Sequence, residues 1–246
     1  MNYSTLSAVY QRELAGYFNT PIAYVFIIIF VVLAGLFTFY LGDFFGRNQA
    51  DLQTFFQWHP WLYLFLVPAL AMRMWAEERR SGTLELLLSL PITVVEATLA
   101  KFLAAWTFTA ISLALTTPIW LTVNFLGSPD NGAILAGFLG SLLMAGGYLA
   151  IGSCMSALTR NQVIAFVLSA VASLLFVLSG FPLVLDIFGT WAPSSLVQVV
   201  ASFSFLTHFD AISKGVIDLR DLTYFLTLIT FWLFATVVII EMKKAD

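Results

Sequence analysis

The residues that could do chemistry are few. The chain has two histidines, His59 and His208, and one cysteine, Cys154. The histidines fall near the outer end of one apolar run and in a later loop, where they could meet as metal ligands. Interfacial histidines more often serve as hydrogen-bonded anchors. No His-Glu-x-x-His, Cys-x-x-Cys or Gly-x-Ser-x-Gly pattern occurs, and Ser194-Ser195 with Asp210 is a weak grouping for acyl chemistry. A phosphate-binding loop needs a lysine directly after glycine, but Lys101, Lys214, Lys243 and Lys244 all follow other residues. Any energy from ATP must therefore arrive through another polypeptide.

One segment does carry a pattern. Glu77-Glu78-Arg79-Arg80 is followed by Ser81-Gly82-Thr83-Leu84-Glu85-Leu86-Leu87-Leu88-Ser89-Leu90-Pro91. Gly82 should end whatever helix enters from upstream. Thr83 or Ser81 can cap a new short helix over 82–91, which Pro91 stops. Thr93 and Glu96 form a capping box for the next helix. An exposed leucine-rich helix ringed by charge should dock on a membrane surface or in a partner's groove.

The elements around it are membrane helices. Of 246 residues, 60% are hydrophobic and 10% charged, too few charges to solvate a soluble fold. The net charge of −3 also argues against nucleic acid as a partner. Six apolar runs are long enough to span: 22–41, 55–74, 98–126, 133–158, 163–185 and 222–240. The first is expected to remain as a membrane helix, and Pro118 to kink the third. Arg12, Arg73, Arg79, Arg80, Lys101, Arg160, Lys243 and Lys244 flank one side, against Arg47, Lys214 and Arg220 on the other. That bias predicts cytoplasmic N- and C-termini. Residues 2–19 place Leu6, Tyr10, Leu14 and Tyr17 on one face, an amphipathic helix suited to the headgroup plane. The pattern fits both a simple lead-in and an interfacial elbow that transmits force.

The charge-free runs narrow the function. No charged residue lies in 102–129, 131–159, 161–185 or 222–240. Ion-coupled carriers keep ionisable groups near the midplane, so their absence lowers that reading, although a site built from backbone carbonyls remains open.

The string Glu78 to Pro91 resembles the E-[RK]-x-x-G-T-[LI]-E-x-L-L-x-x-P signature of ABC-2 type permeases, the membrane subunits of ATP-binding cassette exporters. The match is full, and the span order extends the resemblance over nearly the whole chain, 1–246, as one ABC-2 transmembrane domain. The resemblance implies that 82–91 is the coupling helix, seated in a cleft of the ATPase, and that 2–19 is the elbow. Its implied ATPase-contacting residues are Arg79, Gly82, Thr83, Leu84, Glu85, Leu87, Leu88 and Pro91, with Arg12 from the elbow. It implies two ABC ATPase subunits that bind ATP and magnesium, no cofactor or metal in this chain, and no catalysis by it. A second permease subunit, itself or a paralogue, would complete the path in a bacterial inner membrane. Shorter stretches at 12–25 and 205–221 are similar to the permeases of gliding-motility-associated (GldF-like) systems, and the second also to those of copper-enzyme-maturation (NosY-like) systems.

Between the last two runs, Leu196, Val199, Phe203, Leu206 and Phe209 recur at helical spacing. A helix there, broken near Gly215, would lie at or dip into the outer interface. The resemblance implies re-entrant helices, with Phe203, His208, Asp210 and Gly215 as a candidate outer gate or a surface for a periplasmic auxiliary protein. Two other readings stand beside the exporter: a membrane scaffold that anchors an ATPase and a periplasmic partner, and an ion-coupled secondary transporter.

Overall fold

The computed structural model describes residues 3–85, 92–190 and 192–244, and these are helical apart from short connections. The described helices are α1 (Tyr3–Phe18), α2 (Pro21–Leu36, continued by a π-turn to Leu41), α3 (Gln53–Gln57), α4 (His59–Ala71) and α5 (Arg73–Ser81). Then follow α6 (Val94–Ala114), α7 (Thr117–Leu126), α8 (Asn131–Leu158) and α9 (Gln162–Leu178). The chain closes with α10 (Pro182–Gly189), α11 (Ser194–Ser202), α12 (Phe205–Ser213) and α13 (Leu219–Lys244).

Among the described residues, four helical stretches are long and apolar enough to cross a membrane: Ala23–Leu41, Val94–Leu126, Asn131–Leu158 and Leu219–Lys243. The pairs α9–α10 and α11–α12, each bent by 66°, bring the number to six if each counts as one span. The expected second span, 55–74, is instead divided among α3, α4 and α5. Its centre, α4, has 13 residues, about 20 Å of helix against a hydrocarbon core of about 30 Å. Trp58 and Met72 interrupt the run, and Pro68 inside α4 removes a backbone donor one turn before Met72. The third run starts earlier than expected, at Val94, where the Thr93–Glu96 capping box is fully formed. It breaks at Leu115–Thr116, just ahead of Pro118.

Helix α8 is the central post. Its most apolar window is 72% buried, against 22% for the first span, and α4, α5, α6, α9, α12 and α13 all pack on it. Small residues allow this close approach in a bilayer, where helices associate by packing rather than by the hydrophobic effect. A Cβ on Gly152 would meet Ala71 Cβ at 2.4 Å, and one on Gly137 would meet the Phe56 ring at 2.4 Å. The core above is aromatic: Phe30, Tyr63 and Tyr148 are buried, and the Tyr148 hydroxyl donates to Pro60 O at 2.8 Å.

Candidate coupling site

Helix α5 carries the charged block to one end of the bundle. It stops at Gly82, whose φ of 72° lies in the left-handed region that side chains disfavour. Ser81 Oγ donates back to Glu77 O at 2.9 Å. Residues 83–85 turn helical again, and half-buried Leu84 packs on the core while Glu85 is exposed. Leu87, Leu88 and Pro91 of the expected coupling helix lie outside the described residues.

Three elements meet at a buried lysine. Lys101 of α6 is 4% exposed, and its Nζ lies 2.8 Å from Glu78 Oε1 of α5 and 3.1 Å from Glu13 Oε2 of α1. The same ammonium sits over the Trp75 ring, 5.3 Å from its centre, a contact that strengthens when desolvated. Arg12 on α1 pairs with Glu13 at 2.6 Å and stands 3.9 Å from Glu78. Tyr10 adds a hydrogen bond to Thr107 at 3.0 Å. The amphipathic face of α1 is therefore spent on α6, with Val9 buried and Leu14, Tyr17 and Phe18 packed on the core.

The two carboxylates differ in cost. Burial raises the pKa of both, but at Glu13 the nearby Lys101 and Arg12 outweigh burial and hold it below the ordinary range. At Glu78 burial prevails over Lys101 and the value is pushed up. Glu78 Oε2 is buried without a hydrogen-bond partner.

A second set of contacts ties α5 to α8. The break at Met72 leaves the first amides of α5 without intrahelical acceptors. Ser156 Oγ accepts from both Trp75 N and Ala76 N at 3.0 Å and donates to Met72 O at 2.9 Å. Trp75 Nε1 donates to Ser153 Oγ at 3.1 Å. Arg79 Nη1 reaches Ala157 O at 2.9 Å, and Lys243 Nζ reaches Leu158 O at 2.6 Å. These cations complement the negative end of α8.

The expected coupling residues thus divide. Arg12 and Thr83 line one cleft, whereas Arg79 turns away to cap α8. Sequence reasoning missed Glu13, Glu78, Lys101 and Ser156 as partners of one another. The available signal was Lys101 itself, a lone cation at the edge of a charge-free run.

At the other end, the expected helix over 196–209 is broken at Ser204, whose Oγ accepts from Leu206 N and caps α12. Phe203 is exposed, and Asp210 is exposed and pairs with Lys214 at 2.6 Å. Gly215 has a φ of 88° and abuts Ala133. His208 points inward: Nδ1 lies 2.6 Å from Asp221 Oδ1, Nε2 lies 3.0 Å from Ser202 O, and Tyr224 stacks at 4.0 Å. His59 has a separate partner, Phe55 O at 2.9 Å. Among the described residues no group of three or more His, Cys, Asp or Glu is arranged to hold a metal.

A helical bundle with several long apolar helices, and ion pairs at both of its ends, defines a multi-pass membrane protein. The chain belongs to the ABC-2 family transporter proteins: the model of that family matches residues 52–240, more than three quarters of its length. Residues 1–51, with α1, lie outside the match. No curated protein matches the chain.

Proposed function

We propose that this chain is the permease subunit of an ABC exporter in a bacterial inner membrane, moved by a separate ATPase that binds ATP and magnesium. Two copies, or one copy and a paralogue, enclose the path, with two ATPase subunits at the end that carries α1 and α5. That end is cytoplasmic, residues 3–18 are the elbow, and 82–91 is the coupling helix. Catalysis stays in the partner, and a periplasmic auxiliary protein meets the exposed surface around Phe203 and Asp210.

The observation that carries this reading is the shared Lys101. Force applied to 82–91 enters α5 directly. Glu78 passes it through Lys101 to α6 and α1, and Ser156 and Arg79 pass it to α8. A segment built only to lie on a membrane surface does not need its flanking helix fixed to three others. In this account Arg12, Thr83, Leu84 and Glu85 face the ATPase together with Leu87, Leu88 and Pro91, while Arg79 fixes the lever. Gly82 gives the lever its corner.

The test is Leu84→Asp with Leu87→Asp. The double variant should insert and fold, with a melting temperature lowered only by the loss of the half-buried Leu84 contact, yet lose all ATP-dependent activity of the assembled system. Retained activity would remove 82–91 from the coupling role.

A further inference from the structure

A cleft opens between the α1–α2 corner and the α4–α5 corner. It has two parts. The mouth, about 530 Å³, is lined by charges of both signs: Arg12 and Arg73, with Glu13, Glu77 and Glu78. The inner slot, about 190 Å³, is apolar and lies among Phe26, Ile29, Leu66, Ala69 and Leu70. Tyr17, Thr20 and Arg73 line both parts, so the two are continuous.

The slot runs along α2 from Ala23 to Ile29, about 9 Å of helix rise. Its outer wall is lipid-facing, with Val25 52% and Ile29 41% exposed. An apolar slot of that kind, starting at the helix ends and open to the side, is shaped for a hydrocarbon chain from the surrounding leaflet. Its length is a fraction of one leaflet's share of a core about 30 Å thick.

The mouth selects the head. Two guanidiniums and three carboxylates line it. A purely anionic head would lie against Glu13, Glu77 and Glu78, and a purely cationic one against Arg12 and Arg73. A head with both a phosphate and an ammonium meets both sets. Arginine is suited to the phosphate. Glu78 Oε2, buried and without a partner, calls for an N–H donor. A primary ammonium carries three such donors, whereas a trimethylated ammonium carries none.

We infer that this cleft is a binding site for a zwitterionic phospholipid with a primary ammonium head, such as phosphatidylethanolamine, one acyl chain filling the slot beside Ala69. The inference rests on the proposed reading only in placing α1 at the headgroup level, and the site needs no ATPase to bind. The lipid would bridge the elbow to α4 and α5 on the side of α1 that α6 leaves free.

The experiment is native mass spectrometry of the purified chain after reconstitution in nanodiscs of equal dioleoyl phosphatidylethanolamine, phosphatidylcholine and phosphatidylglycerol. One phosphatidylethanolamine per chain should survive detergent release, with a preference of about tenfold over either other lipid. Ala69→Trp, which fills the slot, should abolish retention. Ile29→Trp does the same from the lipid-facing wall if the first variant folds poorly. Arg73→Gln with Glu77→Gln should erase the preference among heads. Equal retention of the three lipids, a preference for phosphatidylglycerol or phosphatidylcholine, or wild-type retention in both tryptophan variants would overturn the inference. Because the readout is bound lipid, a failure here leaves the coupling reading standing, and the reverse also holds.

Discussion

Replacing Lys101 by Met keeps an unbranched apolar stem, one atom shorter, and deletes the charge. Two carboxylates, 2.8 and 3.1 Å from the lost ammonium, would then share a largely buried site. Removing one partner of a buried ion pair costs about 3–5 kcal/mol, most of it the uncompensated charge left behind. Glu13 and Glu78 keep 21% and 17% of their side-chain surface exposed, so water reaches them and the lower end, about 3 kcal/mol, applies. For a chain of this size each kcal/mol moves the melting temperature by about 2–4 °C, which gives a fall of about 6–12 °C. The assay is thermal unfolding in mild detergent at neutral pH, followed by tryptophan fluorescence. Limited trypsin digestion adds a second readout, because α1 held only by its apolar face and the Tyr10–Thr107 hydrogen bond should be cut at Arg12. The triple variant Lys101→Met, Glu13→Gln, Glu78→Gln removes the stranded charges and should regain more than half of the loss. A single variant within about 2 °C of wild type, or a triple variant as unstable as the single one, would refute the hub.

Further outcomes follow from the same contacts. Ser156→Ala strands the buried amides of Trp75 and Ala76, so it should cost about 1–3 kcal/mol and speed hydrogen exchange at those two amides, which mass spectrometry can read. Gly152→Val puts a Cβ 2.4 Å from that of Ala71 and should destabilise by about 1–3 kcal/mol in the same melting assay. The lowered pKa of Glu13 means that its contribution is present above the ordinary carboxylate range and lost as pH falls through its folded value. Glu13→Gln should therefore flatten that acid limb in a melting series from about pH 3 to pH 7.

Much of the architecture was legible because the bilayer reduces it to length and polarity. Runs such as Asn131–Leu158 and Leu219–Lys243 have no alternative to a long helix. Caps are local chemistry, so Thr93–Glu96 and the stop at Gly82 could be read from neighbours in the chain. The interruption at Met72 could not, because it is stabilised by Ser156, 84 residues away. Nor could the kink at Ser204 be seen in a helical spacing that continues straight through it.

The candidate site was half legible for the same reason. Residues 78–91 stand out as a contiguous string, and the Lys101 hub draws one residue from each of three distant segments. Periodicity identified the apolar face of α1 but not what would cover it. Helix α6 takes that face, so an element that looked ready for lipid is partly an internal strut. His208 was placed with outer-surface residues by its position in a loop, and its burial against Asp221 and Tyr224 depends on the fold of α12 onto α13.

The central claim is that another protein's ATP hydrolysis moves this chain through residues 82–91. The most direct measurement is magnesium-dependent ATP hydrolysis in protein affinity-purified from its native membrane under mild detergent, wild type against Leu84→Asp with Leu87→Asp. ATP turnover should co-elute with the wild-type chain and be absent from the double variant, although both are recovered folded in equal amounts. Wild-type protein without ATPase activity, or equal activity in the double variant, would contradict it.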